Sequence, residues 1–572
     1  MTVWLTGEGR STLLELLAHA PEGPVPDAPC GGNGTCGKCR VRFISGAPEP
    51  TPDDRLLLPD ADLACGVRLA CRAVPTGPCA VTLEDSGYRA VSAYCLPTGR
   101  SLGTLSHVSS DVQKSFPGAG SLAVSIDVGT TTIALELIDR GTGRVLARDA
   151  RLNGQRRFGA DVVSRINAAI SGNAAELREL VSRDVRLGIA SLLAAAGASG
   201  HDVGLVTVAA NSVMTHLILG LPVDGFARAP FNPAKTRFPS TTFTEAFPLP
   251  CDDSARGALA EHESSEISPS CSVAIAPSVS AFVGGDIVSG LAALELSGRE
   301  GPALFLDLGT NAEMVLVANE TYRCASAAAG PAFEGGSISS GTGSVPGAVA
   351  AVRISGSRFA WDIIGDGEKA ECRESVECSD IRARGEKSER RERSERGEHS
   401  EFPASLSPLG LCGSGLIDFV ACALELGLIA RDGALSPVCA EKGVFLDPEG
   451  KVRLTQADVR ALQLAKAAVR AGIGILLEDA GLRAEDVSRV YLAGGFGLYL
   501  REESAIAIGL LPAAFKGKTV PVGNASLAGA TLFARDPEGM SARFDALLSH
   551  AQTVSLAEDP RFERFFIDSM NF

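Results

Sequence analysis

One run near the N-terminus carries the densest chemistry in the sequence: Cys30-Gly31-Gly32-Asn33-Gly34-Thr35-Cys36-Gly37-Lys38-Cys39. Its spacing is C-x5-C-x2-C, one residue longer than the C-x4-C-x2-C of plant-type [2Fe–2S] centres. A fourth thiolate is available at Cys71, within Arg68-Leu69-Ala70-Cys71, and Cys65 and Cys79 stand near it in the chain. Four thiolates can hold two irons. The glycines let the backbone wrap closely and aim N–H groups at the sulfurs. Zinc also accepts four cysteines, but structural zinc sites usually present two C-x2-4-C pairs, and only one such pair occurs here. Disulfides suit a secreted chain, and the start Met1-Thr2-Val3-Trp4-Leu5-Thr6-Gly7-Glu8 lacks a basic region followed by an apolar core. The cysteines therefore read as cluster ligands and reduced buried thiols, and the expected location is the cytoplasm. Cys372 and Cys378 repeat the C-x5-C spacing inside a charged stretch and read as ordinary thiols.

A second chemistry appears twice. Val124-Ser125-Ile126-Asp127-Val128-Gly129-Thr130-Thr131-Thr132 and Leu304-Phe305-Leu306-Asp307-Leu308-Gly309-Thr310-Asn311 each run an apolar strand into a D-x-G-T turn, and each is followed by another apolar strand. A single copy could be an ordinary hairpin, because Asp and Gly suit tight turns. Two copies in matching contexts point to a duplicated phosphate site. Gly129 and Gly309 let backbone N–H groups approach phosphate oxygens, and Thr130, Thr131, Thr310 and Asn311 add polar groups. Asp127 and Asp307 suit Mg²⁺, a hard cation that takes oxygen ligands, and Glu313 is a further acid for the same chemistry. A third piece, Val490-Tyr491-Leu492-Ala493-Gly494-Gly495-Phe496-Gly497, runs a strand into a glycine turn. Coming last, after two phosphate hairpins, Gly494 and Gly495 read as the adenosine loop of an ATP site.

The elements that must position these residues follow from the surrounding pattern. In the first block, residues 2–5 read as a strand and 11–17 as a capped amphipathic helix with Glu15 in its first turns. Residues 41–43 and 80–83 read as further strands. From residue 121 apolar strand runs alternate with long helical stretches such as 175–196 and 455–480, the signature of α/β layers. The expected organisation is a small domain over 1–86, a linker over 87–120, a first half of the second region over 121–205, and its remainder over 206–572. Residues 366–404 interrupt that remainder with mixed charges and almost no apolar side chain, so they cannot bury a core. The 572 residues allow several domains, 45% of them are apolar, and the net charge is −15. Such acidity argues against a nucleic-acid surface. No apolar run reaches the roughly 18 residues that span a bilayer.

The order strand–DxGT–strand twice, then a late A-G-G-F, resembles the sugar kinase, Hsp70 and actin superfamily. With the cysteine block in front, nearly the whole chain resembles the reductive activators of corrinoid proteins. The marks are the run from Cys30 to Cys39, Arg68-Leu69-Ala70-Cys71, Phe158-Gly159-Ala160-Asp161-Val162-Val163-Ser164-Arg165-Ile166 and Asp307-Leu308-Gly309-Thr310-Asn311-Ala312-Glu313. Ala327-Ala328-Ala329-Gly330-Pro331-Ala332-Phe333-Glu334-Gly335-Gly336, Cys412-Gly413-Ser414-Gly415-Leu416-Ile417-Asp418 and Val522-Gly523-Asn524-Ala525-Ser526-Leu527-Ala528-Gly529-Ala530 extend the set. The insertion at 366–404 and the run Ser339-Ser340-Gly341-Thr342-Gly343-Ser344 depart from the pattern. The resemblance implies a multidomain α+β and α/β protein: a β-grasp [2Fe–2S] ferredoxin domain, then a duplicated actin/Hsp70/sugar-kinase-like ATPase domain. It favours Cys71 as the fourth ligand beside Cys30, Cys36 and Cys39.

The same resemblance implies a [2Fe–2S] cluster, ATP and Mg²⁺ as cofactors. It implies an ATP-dependent transfer of one electron to Co(II) in a corrinoid protein, restoring the Co(I) that accepts a methyl group. Plant-type clusters lie near about −400 mV, and about 59 mV of one-electron mismatch costs a factor of ten, so nucleotide energy would drive an uphill step. The expected partners are a methyltransferase corrinoid subunit or a corrinoid iron–sulfur protein, an upstream electron donor, and a second copy of the chain. Nucleic acid and membrane are not expected. Two rival readings use the same residues: a small-molecule kinase with an attached redox sensor, and an ATP-gated electron donor to a non-corrinoid metalloenzyme. A kinase needs an enclosed acceptor pocket with a catalytic base, and no such constellation stands out in the sequence.

Overall fold

The computed structural model describes the chain except for residues 1, 8, 19–25, 27, 29–31, 33, 35, 36, 83–119, 160, 250–266, 297, 299, 357, 366–371, 375–407, 448 and 449. The first block forms β1 (Thr2–Thr6), α1 (Leu13–Ala18), β2 (Arg40–Ser45), α2 (Pro52–Leu57), β3 (Val67–Leu69) and β4 (Pro78–Thr82). Its four-stranded sheet has the order β1-β4-β2-β3, with every neighbour antiparallel. The expected helix cap is present: Glu15 N–H donates to Thr12 Oγ1, and Thr12 N–H donates to Glu15 Oε2 at 2.8 Å. Leu13, Leu17, Val41, Leu69 and Val81 fill the small core between helix and sheet. Residues 87–119 of the expected linker lie outside the described residues.

The next stretch contains β5 (Leu122–Val128), β6 (Thr132–Asp139), β7 (Val145–Leu152), α3 (Val162–Ala168), α4 (Ala174–Ala196), β8 (Val203–Ala210), α5 (Ser212–Leu219), β9 (Thr241–Thr242), β10 (Ser272–Ile275) and α6 (Gly285–Leu294). The sheet order is β7-β6-β5-β8-β10-β9. Antiparallel hairpins join β5 to β6 and β6 to β7, while β5, β8 and β10 run parallel. Strands β5 and β8 are mostly apolar and are buried on both faces. The boundary expected between 205 and 206 falls inside β8, which bonds to β5 and β10, so the first half of the region continues to about residue 296.

The second half contains β11 (Ala303–Leu308), β12 (Ala312–Ala318), β13 (Thr321–Ala327), β14 (Ala348–Ser355), β15 (Arg358–Ile363), β16 (Cys372–Glu374), β17 (Gly410–Leu411), α7 (Gly413–Glu425), β18 (Val444–Phe445), β19 (Arg453–Leu454), α8 (Gln456–Asp479), β20 (Arg489–Ala493), α9 (Gly494–Tyr499) and β21 (Thr519–Gly523). Here β21, β20 and β11 are parallel, and β11, β12 and β13 are antiparallel. That is the arrangement of β10, β8, β5, β6 and β7 again, so the duplication read from the two D-x-G-T turns is a duplication of a whole sheet. Strands β16, β15, β14 and β17 form a separate small sheet. Apart from β16, the expected insertion at 366–404 lies outside the described residues.

The chain then closes with α10 (Ala525–Arg535), α11 (Pro537–Ser549) and α12 (Phe562–Asp568). The described residues divide into two compact units, and the division does not follow chain order. One unit joins the segments up to residue 296 with 524–553, and the other holds 297–523 with 554–572. Helix α10 therefore belongs to the first unit, where it packs against α6, β5 and β8. Thr207 Oγ1 donates to the Ala530 carbonyl at 2.8 Å, and Thr531 Oγ1 donates to Glu136 Oε2 at 2.9 Å.

Candidate functional site

Strand pairing assembles the thiols. Cys39 immediately precedes β2, and Cys71 follows the end of β3. The antiparallel register sets Arg40 opposite Leu69, and Ala70 N–H donates to the Cys39 carbonyl at 2.7 Å. Both cysteines are buried, and their Sγ atoms lie 3.3 Å apart. That separation is too long for a disulfide of about 2.05 Å. It lets two thiolates with metal–sulfur bonds of about 2.3 Å share one metal ion. Buried Asp54 holds the end of β3 in place, since its Oδ1 accepts from Leu69 N–H at 2.8 Å while Oδ2 accepts from Thr51. Of the competing thiols, Cys65 is exposed. Cys79 lies within β4 opposite Leu5, where burial pushes its pKa up. Cys30 and Cys36 lie outside the described residues.

The first D-x-G-T turn joins β5 to β6. Asp127 sits near the end of β5, and the partners of its carboxylate come from the start of α10, from its cap Asn524 and from Ser526 in its first turn. Asn524 Nδ2 donates to Oδ2 and Ser526 Oγ to Oδ1, each at 2.8 Å. Burial raises the Asp127 pKa, and these two bonds pull it partway back. Asp286, in the first turn of α6, faces the same carboxylate. Its pKa is pushed up to about 7, chiefly by burial, with the charge of Asp127 adding to the rise. Thr130 Oγ1 accepts from Asn211 Nδ2 at 3.3 Å, and Asn211 also caps α5. Gly129 N–H donates to the Thr132 carbonyl at 2.9 Å and closes the turn.

The second turn joins β11 to β12, and its surroundings differ. The register sets Asp307 opposite Glu313, so two carboxylates share one face of the sheet. Gly309 N–H donates to the Asn311 carbonyl at 2.9 Å. Thr310 N–H donates to Glu334 Oε1 at 2.9 Å, which puts a side-chain carboxylate on the amide where a phosphate oxygen was expected. Thr310 Oγ1 is buried and has no hydrogen-bond partner among the described residues, as a group awaiting a ligand would be.

Gly494 and Gly495 start α9 at the end of β20, beside Asp307, whose register partner is Ala493. Gly494 has φ +81°, and a Cβ there would lie 2.7 Å from Asp307 Oδ1, so only glycine fits. Phe496 packs on Phe333 with ring centroids 5.2 Å apart, which ties this loop to the Gly-Pro-Ala-Phe-Glu segment carrying Glu334. The second unit thus brings together Asp307, Gly309, Thr310, Asn311, Glu313, Gly494 and Gly495. The first unit brings together Asp127, Gly129, Thr130 and Thr131. Taken separately, the oriented Asp127 carboxylate with its glycine turn in the first unit, and the orphaned Thr310 hydroxyl with its glycine turn in the second, each suit phosphate or Mg²⁺. The sequence reading missed Asn211, Asp286, Glu334, Asn524 and Ser526. Glu334, Asn524 and Ser526 stood inside segments already singled out, which was the one available signal.

Comparisons with known proteins agree with this architecture. A 2Fe-2S iron–sulfur cluster binding domain matches residues 5–76. The RACo middle region matches 122–299, and the C-terminal domain of RACo, described as the ASKHA domain, matches 301–572. The corrinoid activation enzyme RamQ of Eubacterium limosum is 29% identical over 477 residues, covering 78% of this chain and 70% of that protein. The [Co(II) methylated amine-specific corrinoid protein] reductase of Methanosarcina barkeri is 25% identical over 454 residues, covering 78% and 76%. A solved structure described as a reductive activator for corrinoid, iron–sulfur protein superposes with a TM-score of 0.64 at 26% identity, covering 99% of this chain and 96% of that one.

Proposed function

The chain belongs to the RACo family of reductive activators of corrinoid proteins, and from that premise we propose how its own residues divide the work. It is an ATP-dependent enzyme that returns a corrinoid protein from Co(II) to Co(I) by passing it one electron. A [2Fe–2S] cluster, when bound, supplies that one-electron chemistry. Cys30, Cys36, Cys39 and Cys71 hold it, with the 3.3 Å approach of Cys39 and Cys71 as support.

In the first unit Asp127 would hold Mg²⁺, with Asp286 as the acid beside it; in the second Asp307 would hold it, with Glu313 as the acid opposite. The turns at Gly129–Thr131 and Gly309–Asn311 receive phosphates, and Gly494 and Gly495 receive the nucleoside. Nucleotide binding then drives the uphill transfer by favouring one conformation of the enzyme, which requires different affinities of the corrinoid protein for the two conformations. Either a methyltransferase corrinoid subunit or a corrinoid iron–sulfur protein would present the cobalt. An upstream carrier would reload the cluster, and the enzyme works in the cytoplasm. Among the described residues no helix is long and apolar enough to cross a membrane.

The observation that carries this reading is the pairing of two buried thiols in a chain that also holds two hairpins with oriented carboxylates. The test follows the Co(II) and Co(I) absorption bands of a corrinoid protein with a chemical reductant, with and without Mg-ATP. Co(I) should form only when enzyme, reductant and Mg-ATP are all present. Equal Co(I) without ATP would remove the energy coupling. No Co(I) with any of several corrinoid proteins would point to a non-corrinoid acceptor.

A further inference from the structure

Behind the first turn lies a network that none of the functions above uses. Arg165 is fully buried on α3. Its guanidinium donates to the Thr130 carbonyl, to the Gly159 carbonyl at 3.2 Å and to Gln155 Oε1 at 3.2 Å, with Met214 Sδ at 3.3 Å. Asn153, also fully buried, donates from Nδ2 to the Gly129 carbonyl at 2.9 Å and from its backbone N–H to the Thr131 carbonyl at 2.9 Å. The carbonyls of Gly129, Thr130 and Thr131 are therefore all held by one short segment of chain.

A trans peptide is planar, and its N–H points away from its C=O. Fixing the carbonyls of Gly129 and Thr130 on one side aims the N–H groups of Thr130 and Thr131 to the other. Those are the amides a phosphate would meet. Bonds from a charged donor are about twice as strong as neutral ones, so Arg165 stiffens this orientation more than a neutral side chain could. The approach of α3 is built for the purpose. Gly159 has φ +132°, and a Cβ there would lie 2.2 Å from Ser164 Cβ, while Asp161 caps the helix by accepting from Ser164 N–H at 2.8 Å. In the second turn the Thr310 amide is instead taken by the Glu334 carboxylate. The two turns share a sequence pattern but not a support.

We propose that Arg165 and Asn153 are positioning residues that hold the Gly129–Thr131 turn in its phosphate-binding orientation, and so set affinity for the phosphate part of the nucleotide rather than for the nucleoside. The inference rests on the reading of this turn as a phosphate site.

The test is equilibrium binding to the full-length protein by calorimetry, with a non-hydrolysable ATP analogue plus Mg²⁺ and, separately, with adenosine. Arg165→Gln should weaken the analogue by about tenfold or more, as expected for a lost charge-assisted bond, and leave adenosine affinity unchanged. Arg165→Lys should recover part of the loss. Asn153→Ala should weaken the analogue by a smaller factor, and it carries the test if Arg165→Gln does not fold. Analogue affinity at the wild-type level in Arg165→Gln, or in Asn153→Ala where it alone folds, would overturn the proposal. So would an equal proportional loss for analogue and adenosine, which would mark a merely structural role. Failure of the wild-type protein to bind the analogue would overturn the ATP reading itself, and the proposal with it.

Discussion

Asn524 Nδ2 donates to Asp127 Oδ2 at 2.8 Å across 397 positions of chain, and Ser526 fixes the other oxygen of the same carboxylate. A carboxylate with both oxygens held cannot rotate, which matters for a group that must meet a metal or an ordered water. Asp127→Ala and Asp307→Ala should each lower ATP hydrolysis strongly, by about a hundredfold, through loss of a Mg²⁺ partner. Asn524→Ala should lower it less, by about tenfold, because the carboxylate stays but is freed. Phosphate-release assays check the ranking, and iron content should match wild type in all three. Normal hydrolysis in both aspartate variants would refute the nucleotide reading.

For the thiols, the anaerobically purified protein should contain about two irons and two sulfides per chain and show a one-electron [2Fe–2S] signal when reduced. Cys71→Ser should lose most of that iron. Cys65→Ser and Cys79→Ser should retain it, because Cys65 is exposed and Cys79 lies in β4 among core residues. Iron analysis and electron paramagnetic resonance decide the ranking. Stoichiometric zinc in place of iron would refute the cluster.

Gly494→Ala should reduce ATP hydrolysis by about tenfold or more while the cluster stays loaded. The added methyl group would meet Asp307 Oδ1 at 2.7 Å from a backbone with positive φ. A Cβ at neighbouring Gly495 meets open space, so Gly495→Ala should cost less. Equal activity in the two variants would show that the close approach to Asp307 is unimportant.

Asp418 gives a prediction in pH. Burial pushes its pKa up to about 6, opposed by Ser504, by Val352 N–H at 3.1 Å and by Arg501. The unfolded value is about 3.9. Between those values the folded state binds more protons than the unfolded state, so this contribution to stability is complete below about pH 4 and is lost as pH rises through 6. Asp418→Asn should flatten the stability profile over that window. Its Tm should exceed that of wild type by a few degrees at pH 7.5. Thermal unfolding at pH 4, 6 and 7.5 measures it, and a parallel pair of profiles would refute the assignment.

What could be read from the sequence was local. Helices expected at 175–196 and 455–480 are α4, Ala174–Ala196, and α8, Gln456–Asp479, since long apolar periodicity and caps act within one element. The two D-x-G-T turns and the late glycine turn were visible because turn chemistry needs particular residues at adjacent positions. Cys71 could be ranked above Cys65 and Cys79 only by resemblance, because a pairing of strands 30 residues apart leaves no mark in spacing. Asn524, Ser526, Asn153 and Arg165 are polar residues whose importance comes from what topology sets beside them. The extent of the first half escaped for the same reason: β8 looks like any apolar strand until its partners β5 and β10 are known.

The return of α10 to the first unit has a consequence during synthesis. Asp127 leaves the ribosome about 400 residues before Asn524, which at about 5–20 residues per second is a wait of about 20–80 s. From the time each emerges until then, the surfaces of β5, β8 and α6 that α10 covers lack that partner. A nascent chain arrested before residue 524 should therefore recruit a chaperone holdase and be open to protease, and should lose both properties once residues 524–553 have emerged.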